Sequence, residues 1–189
     1  MPRPSRREHL IETALDLFAE QGFHATGIDR ILERAGVSKK TLYSHFRSKD
    51  ELILAVLTHY DSRFRNDFVR RVEKAAKTPR ARLLAVFDVA EAWFSAKGFY
   101  GCLFINAIGE YSAGDSAIRR VCQEFKRLMR DYLFELAAQA KLRGPSRVAD
   151  QLALLLEGAI VTAQVSRTPQ AARAAKQAAR VLIREAGTE

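Results

Sequence analysis

The fold is decided by residues 22–52, which read GFHATGIDRILERAGVSKKTLYSHFRSKDEL. Two short helical patterns in this stretch are joined by a tight turn at 35–37, Ala-Gly-Val. A glycine just past the last periodic residue accepts the left-handed backbone conformation that ends a helix and lets the chain reverse. The apolar residues before this turn share one helical face and are Ile28, Ile31, Leu32 and Ala35. The spacing predicts a helix-turn-helix.

Capping residues stand at the start of each pattern. Thr26, with Asp29 three residues later, predicts a capping-box start for the first helix. Ser38 predicts the cap of the second helix, because its hydroxyl can accept hydrogen bonds from the unpaired amides of the first turn. The residues predicted to face inward from the second helix are Val37, Leu42 and Phe46.

The outward face of the second helix is polar, and this mixture of side chains can contact both phosphates and base edges in a major groove. The predicted DNA-binding residues are Thr26, Ser38, Lys39, Lys40, Thr41, Tyr43, Ser44, His45 and Lys49. A charged face that is only solvated would look similar, and helix-turn-helix geometry also occurs in folds that never touch DNA. The spacing alone leaves both interpretations open.

The residue string from 11 to 52 resembles the DNA-binding domain of the TetR family of bacterial transcriptional regulators. The matching positions are Ala14, Leu17, Phe18, Gly22, Phe23, Thr26, Ile31, Ala35, Gly36, Val37, Ser38, Leu42, Tyr43, His45, Phe46, Ser48, Lys49 and Leu52. Two positions depart from the family pattern. Leu32 stands where alanine is usual, and Lys40 stands where a small residue is common.

The resemblance implies an all-α protein with two parts. Residues 1–48 are expected to form a three-helix DNA-binding domain of helix-turn-helix type, and residues 49–189 a larger helical domain for ligand binding and dimerisation. The implied function is a ligand-responsive transcriptional repressor, not an enzyme, with no cofactor or metal. It would bind a pseudopalindromic double-stranded operator as a homodimer and be released by a small-molecule effector.

Helical patterning continues through the rest of the chain, and no segment alternates with the period of a strand. Ser48 with Glu51 predicts a capping box for a long helix reaching into the seventies, and Thr78 with Pro79 opens the next one. Further helices are predicted over residues 101–111, 115–142, 146–167 and 169–185.

Composition adds less. The net charge is +9. Residues 1–52 carry nine Lys and Arg against eight Asp and Glu, so most of the excess positive charge lies beyond residue 52 and outside the predicted DNA-binding domain. Local basic positions such as Lys39 and Lys40 are therefore better indicators of DNA binding than bulk charge. The amino-terminal residues contain no apolar signal segment, and the longest uninterrupted apolar run, 52–57, is too short to span a bilayer. We expect a cytoplasmic protein without a membrane partner.

The last two predicted helices carry apolar faces of small and large residues. The resemblance implies that they form a four-helix interface with their copies. The predicted dimerisation residues are Leu156, Gly158, Ile160, Ala175 and Leu182. The alternative is that these faces pack against the core of their own chain.

The region between reader and predicted interface is rich in aromatic residues. Most should be ordinary core, because large apolar groups at helical spacing chiefly report burial. The resemblance implies a small-molecule pocket among these helices, which favours an apolar or aromatic effector. The predicted ligand-binding residues are Trp93, Phe94, Phe104, Asn106 and Glu110.

Three other functions compete with a ligand-released repressor. Cys102 could make the protein a thiol-based sensor of oxidants or electrophiles, although a free cysteine is most often a small buried apolar residue and no cation flanks it in sequence. An all-α enzyme and a helical interaction adaptor are the alternatives of another class. Neither has a supporting motif, since the four histidines show no metal-ligand spacing and no phosphate loop or nucleophile motif is present.

Overall fold

The structure, a computed structural model, describes residues 5–111 and 116–187. These residues form helices and turns and contain no strand, which confirms the all-α prediction. The helices are α1 (Arg6–Gln21), α2 (Ile28–Ala35), α3 (Lys39–His45), α4 (Lys49–Ala75), α5 (Pro79–Phe94), α6 (Leu103–Glu110), α7 (Ala117–Gln139), α8 (Pro145–Ser166) and α9 (Gln170–Ala186).

The predicted helix positions agree with these bounds to within a few residues. The segment predicted at 146–167 is α8, and the one predicted at 169–185 is α9. The predicted start of α7 at residue 115 lies outside the described residues.

The chain divides into two compact units. Unit 1 comprises Met1–Arg63 and Leu103–Glu124, and unit 2 comprises Phe64–Cys102 and Phe125–Glu189. Helix α4 contributes its first part to unit 1 and its remainder to unit 2. These units follow spatial compactness, so α6 is grouped with the amino-terminal helices. The division into sequence domains at 1–48 and 49–189 stays a prediction.

The core of unit 1 is built where α1, α2 and α3 meet. Helix α1 begins with a capping box, in which the Glu8 amide donates to the Ser5 hydroxyl at 3.1 Å and the Ser5 amide donates to the Glu8 carboxylate at 2.8 Å. The hydrogen bond from the Ser5 amide is the main cause that lowers the pKa of Glu8, and the Ser5 side chain adds to it, because both stabilise the charged carboxylate. The fully buried side chains at the centre include Leu10, Phe18, Phe23, Ile31 and Leu42.

The predicted cap of α2 was wrong. Gly27, not Thr26, is the N-cap residue, and no side chain caps this helix. The Thr26 hydroxyl donates instead to the backbone carbonyl of Gly22 at 2.6 Å and lies 3.3 Å from that of Leu17. Thr26 is fully buried, and its hydroxyl stabilises the turn that leaves α1.

The turn between α2 and α3 follows the prediction. Gly36 ends α2 with φ 62° and ψ 36°, which is the left-handed region that glycine enters without strain. Ser38 caps α3 by accepting a hydrogen bond from the Thr41 amide at 3.2 Å. Leu42 and Phe46 are buried and Val37 is half-buried, so α3 is anchored on its apolar side.

Helix α4 starts with a variant of the predicted capping box. The Glu51 amide donates to the Ser48 hydroxyl at 3.2 Å, as the spacing predicts. The Glu51 carboxylate, however, accepts from the amide of Arg47 at 2.6 Å, one residue earlier than in a regular box. The helix then runs for 27 residues without interruption.

In unit 2, helices α5, α8 and α9 pack against one another. Ion pairs join α9 to α5 through Lys176 and Asp88 at 2.5 Å and through Arg173 and Glu91 at 2.6 Å. Helix α8 is long and apolar enough to cross a bilayer by length and composition alone. The core helix of a soluble protein passes the same test, and seven residues of α8 are buried in the chain.

Candidate functional site

The exposed face of α3 collects most of the predicted DNA-binding residues. Ser38, Lys39, Lys40, Tyr43 and Ser44 are exposed, and Tyr43 is the most unusual of them because 46% of a large aromatic residue is left in solvent. Thr41, His45 and Lys49 are half-buried. The opposite side of this helix is occupied by the buried Leu42, so the polar face is presented outward.

Hydrogen bonds within α3 separate two groups of side chains. The Ser38 hydroxyl caps the helix and lies 3.0 Å from the Thr41 hydroxyl, and the Ser44 hydroxyl donates to the Thr41 carbonyl at 2.7 Å. Lys39, Lys40 and Tyr43 have no side-chain hydrogen bond or ion pair to any described residue. These three side chains can therefore meet a partner without breaking a contact inside the helix.

Two of the predicted contacts are placed differently from the rest. Thr26 is fully buried, so its side chain is not on the exposed face and acts by fixing the turn after α1. The Lys49 ammonium lies 3.4 Å from the His24 carbonyl, which directs it towards the loop between α1 and α2. The exposed polar surface of unit 1 is thus the α3 face with this loop beside it.

Helix α1 contacts the carboxy-terminal ends of both α2 and α3. The His9 ring nitrogen Nε2 lies 3.0 Å from the carbonyl of Ala35, at the end of α2. The Arg7 guanidinium lies 5.2 Å from the centre of the Phe46 ring, at the end of α3. The carboxy-terminal ends of α2 and α3 are therefore both in contact with one helix, which helps to fix the direction of the polar face.

A carboxylate from α6 also belongs to this unit. Both oxygens of Glu110 accept hydrogen bonds from the α1–α2 loop, from the Phe23 amide at 2.8 Å and the His24 amide at 2.5 Å. The His24 ring adds a contact at 3.1 Å and stacks on Tyr111, with 4.6 Å between ring centres. A Cβ on Gly22 would approach the Glu110 carboxylate to 3.0 Å, so glycine leaves room for the joint.

These contacts give Glu110 a role that sequence reasoning missed. The prediction placed it, with Asn106, as a polar contact in an effector pocket, whereas its carboxylate binds backbone amides of the reader. In the sequence, a glycine at position 22 followed by an aromatic residue does not predict a contact with a carboxylate far along the chain. Only the folded chain brings together residues 86 positions apart.

The other predicted effector residues fall in both units. Trp93 and Phe94 lie at the end of α5 in unit 2, in an aromatic cluster where Trp93 is 4.8 Å from Phe64 and 5.2 Å from Phe99, measured between ring centres. Phe104 belongs to unit 1 and is fully buried. Burial of Phe94 and Phe104 agrees with the interpretation of these aromatics as core.

The predicted dimerisation residues divide by exposure. Leu156, Ile160 and Ala175 are buried in the single chain. Gly158 is exposed, and Leu182 is half-buried. The exposed large apolar residues of the same two helices are Leu154, Val161, Val165 and Val181, with exposed fractions of 73%, 43%, 81% and 47%.

Cys102 is buried beside a cation that its sequence neighbours do not supply. The Lys126 ammonium of α7 lies 3.6 Å from the Cys102 sulfur and 2.5 Å from a carboxylate oxygen of Glu157. Cys122 is equally buried. Among the described residues no group of three His, Cys, Asp or Glu side chains could hold a metal ion.

A cleft opens in unit 2 between the second half of α4 and α7. Its volume is about 410 Å³. It is lined by Arg65, Asn66, Val69, Arg70, Glu73, Leu128, Asp131, Tyr132 and Glu135. None of these residues was predicted from sequence, because the cleft arises from two helix faces that are far apart along the chain.

The geometry of unit 1 defines a class of structure, a helix-turn-helix domain. Comparison with known proteins agrees. Residues 10–56 match the family described as bacterial regulatory proteins, tetR family, and residues 79–179 match the tetracyclin repressor-like C-terminal domain. The chain belongs to the TetR family of transcriptional regulators, whose members are not enzymes.

Relatives show the same relationship along most of the chain. The HTH-type transcriptional regulator BetI of Rhizobium meliloti is 28% identical over 88% of this chain and 81% of that protein. The HTH-type transcriptional activator FasR of Mycolicibacterium smegmatis is 43% identical, over 48% of this chain and only 43% of that protein. The HTH-type transcriptional repressor DhaR of a Mycobacterium species is 26% identical over 88% of this chain and 86% of that protein.

Solved structures confirm the fold. SCO4454, a TetR-family transcriptional regulator from Streptomyces coelicolor, superposes with a TM-score of 0.89 at 28% identity, covering 96% of this chain and 95% of that one. The reduced form of NemR from E. coli superposes with a TM-score of 0.83 at 25% identity, covering 95% and 97%.

Proposed function

We propose that this regulator is a cytoplasmic, homodimeric repressor that binds a pseudopalindromic operator and is released by a small-molecule effector. The observation that carries the proposal is the exposed face of α3. Lys39, Lys40 and Tyr43 are exposed, and their side chains form no hydrogen bond or ion pair with any described residue. A helix with this face fits the major groove, where a few side chains read base edges.

The roles of the face follow from its chemistry. Lys39 and Lys40 supply positive charge for phosphates, and the Tyr43 ring supplies an apolar surface and a hydroxyl for a base edge. Ser38 and Thr41 hold the first turn of the helix, so they fix its geometry. Thr26 and Glu110 act as positioning residues, because they bind the loop next to the reader.

The homodimer is proposed on the exposed stripe of α8. Leu154, Gly158, Val161 and Val165 follow one another at spacings of four, three and four residues, which places them on one helical face. A Cβ at Gly158 would meet no atom of this chain within 4 Å, so a second copy can approach closely there. A two-fold dimer places two readers on half-sites about 34–36 Å apart.

The reader is tested by Lys40→Ala and Tyr43→Ala. A DNA ligand is first selected from random duplexes with the wild-type protein, and binding is then titrated by fluorescence anisotropy. Each substitution should weaken binding by about 5- to 150-fold, corresponding to ~1–3 kcal/mol for a good base or phosphate contact. Lys77→Ala, at an exposed lysine outside the reader, is the matched control.

Equal loss in the Lys77 variant would show only a general charge effect. Unchanged binding in both reader variants, with helical content preserved by circular dichroism, would exclude α3 as the reading helix.

The dimer is tested by Gly158→Leu, which puts a bulky side chain on the stripe. Sedimentation should show a shift towards monomer, with loss of operator affinity. Gly109→Leu is the matched control, since Gly109 is also an exposed helical glycine where an added Cβ would meet no atom within 4 Å. An intact dimer in the Gly158 variant would remove this stripe from the interface.

A second candidate function is favoured by one observation, the cation beside Cys102. An ammonium 3.6 Å from the sulfur stabilises a thiolate, which is the reactive form of cysteine. The protein would then release DNA when Cys102 is alkylated. N-ethylmaleimide should abolish operator binding in wild type and in Cys122→Ser but not in Cys102→Ser. Equal protection by the two serine variants, or by neither, would exclude Cys102 as the sensor.

A further inference from the structure

The exposed face of α3 has a centre and two edges. Successive side chains of an α-helix are rotated by about 100°, because one turn takes about 3.6 residues. Leu42 is fully buried and marks the inner side of α3. Lys40 and Ser44, two residues before and two residues after it, each lie about 160° away around the helix. Both residues are exposed, so they form the centre of the face.

The other outward residues of α3 lie at the edges of this face. Thr41 and Tyr43 are about 100° from Leu42, and Lys39 is about 60° from it. When a helix lies in a major groove, its edges are next to the walls, which carry the phosphates, and its centre faces the floor, where the base edges are. The centre of the α3 face is therefore the part that is placed to distinguish one base pair from another.

The two central side chains differ in the donors that they have left. The Ser44 hydroxyl donates its proton to the Thr41 carbonyl at 2.7 Å. The Lys40 ammonium forms no hydrogen bond or ion pair with any residue in 5–111 or 116–187. Lys40 is also the second residue of α3, and the amino-terminal residues of a recognition helix are those that contact base edges. Lys40 is thus the central side chain with all its donors uncommitted.

The chemistry of an ammonium group selects one base in the major groove. A lysine side chain has three donors and no acceptor. Guanine presents two adjacent acceptors there, N7 and O6, whereas adenine presents one acceptor beside a donor. Cytosine presents a donor, and thymine presents one acceptor beside a methyl group. A group that only donates therefore matches guanine better than the other three bases.

We propose that Lys40 reads a guanine in each operator half-site by donating hydrogen bonds from Nζ to O6 and N7. The inference rests on the proposed function, because it takes α3 as the reading helix, and it adds a specific partner to the general attraction of Lys40 for phosphates. In a pseudopalindromic operator the two guanines lie on opposite strands at equal distances from the two-fold axis. Lys40 stands where a small residue is common in the family, so this guanine distinguishes the operator from those of relatives without the lysine.

The first test compares the sequences that the full-length protein and its variants select from random duplexes. Wild type should select a guanine at one symmetric pair of positions. Lys40→Ala should lose the preference at that pair alone, and Lys40→Gln should change it to adenine, because glutamine pairs with the N6 and N7 atoms of adenine. Lys39→Ala, at the edge of the face, is the matched control. It should weaken binding to all duplexes alike and lower the salt dependence by about one phosphate, with the guanine preference retained.

A second test removes single atoms from the selected guanine. Replacement by 7-deazaguanine deletes N7 and should weaken wild-type binding about fivefold or more, measured by fluorescence anisotropy. Replacement by inosine deletes only the amino group in the minor groove and should leave binding unchanged. The Lys40→Ala variant should bind the guanine and 7-deazaguanine duplexes equally. A 7-deazaguanine effect as large in this variant as in wild type would show that another residue reads N7 and would overturn the proposal.

The controls separate failure of this inference from failure of the proposed function. Circular dichroism checks that each variant is folded, and Lys40→Arg should retain the guanine preference, because arginine makes the same pair of hydrogen bonds. If wild type selects an operator without the symmetric guanines, or if Lys40→Ala and Lys40→Gln both retain them, the guanine contact is wrong. Weaker binding of Tyr43→Ala would in that case still support α3 as the reading helix. If wild type selects no sequence at all, the proposed operator-binding function itself is contradicted.

Discussion

The reading face of α3 and the cleft between α4 and α7 are both polar surfaces, but they are assembled in different ways. The face comes from seven consecutive residues, and its geometry is set by Ser38, Gly36 and Leu42 within or next to that segment. The cleft comes from two helices that are far apart in sequence, and no local pattern announces it. A surface formed by one short helix can thus be predicted from residue spacing, whereas a surface formed by two facing helices depends on how they pack.

The same difference separates constrained chemistry from adaptable chemistry. A reader must present one helix face to a DNA groove of fixed dimensions, which limits the usable arrangements. A cleft between two helices has no such fixed counterpart, so its lining residues can vary singly. A change in salt concentration, truncation of a buried side chain and loss of a single hydrogen bond should therefore affect two kinds of interaction differently. The first kind is local to α3, and the second joins residues that are far apart in sequence.

The largest expected effect concerns the reader and salt. If the dimer contacts about 6–10 phosphates, operator affinity should fall by ~10³–10⁵ between about 50 and 200 mM salt. Binding of the proposed small effector involves few charges and should change far less. Anisotropy and calorimetry at matched salt concentrations measure both. A shallow dependence for the operator would contradict phosphate contacts by α3.

The next effect concerns the core beneath the reader. Leu42→Ala should lower the free energy of unfolding by about 2–5 kcal/mol, because Leu42 is fully buried and its truncation leaves a cavity. Lys39→Ala, on the exposed face of the same helix, should change it by no more than about 0.5 kcal/mol. Urea unfolding followed by circular dichroism compares the two. Similar losses would mean that α3 is not anchored through Leu42.

Thr26 gives a smaller effect and separates positioning from contact. Thr26→Val should cost about 1–3 kcal/mol of stability, since it leaves the Gly22 carbonyl without its buried donor. Thr26→Ser retains the hydroxyl and should lose much less. Of the two variants, the one that loses more stability should also lose more operator affinity. A variant that is fully stable yet binds DNA poorly would restore Thr26 as a direct contact.

Glu110 should give the smallest of these effects and tests the distant contact to the reader. Glu110→Gln keeps one oxygen for a backbone amide but loses the charge, so we expect a loss of about 1 kcal/mol in stability. Glu91→Gln, which breaks an ion pair in unit 2, is the comparison. Amide hydrogen exchange at Phe23 and His24 should increase only in the Glu110 variant. Unchanged exchange there would show that the joint does not protect the loop.

Prediction from sequence succeeded where interactions are local. The turn at Gly36, the Ser38 cap and the long helix after Ser48 all depend on residues close to one another in sequence. It was wrong at the start of α2, because a threonine that could cap a helix instead bonds back to Gly22. The helix pattern could not show which side of α8 is internal: Leu156 and Ile160, which were predicted to take part in dimerisation, are buried in the single chain, whereas Leu154 and Val165 are exposed.

The joint made by Glu110 has a consequence for building hybrid regulators. Exchanging DNA-binding domains between relatives is commonly planned at a sequence boundary, and a cut after residue 48 would be the natural choice here. Such a chimera would carry the Phe23 and His24 amides but not the carboxylate that binds them. The transferable module is therefore discontinuous, and a working hybrid must import the end of α6 together with the amino-terminal helices.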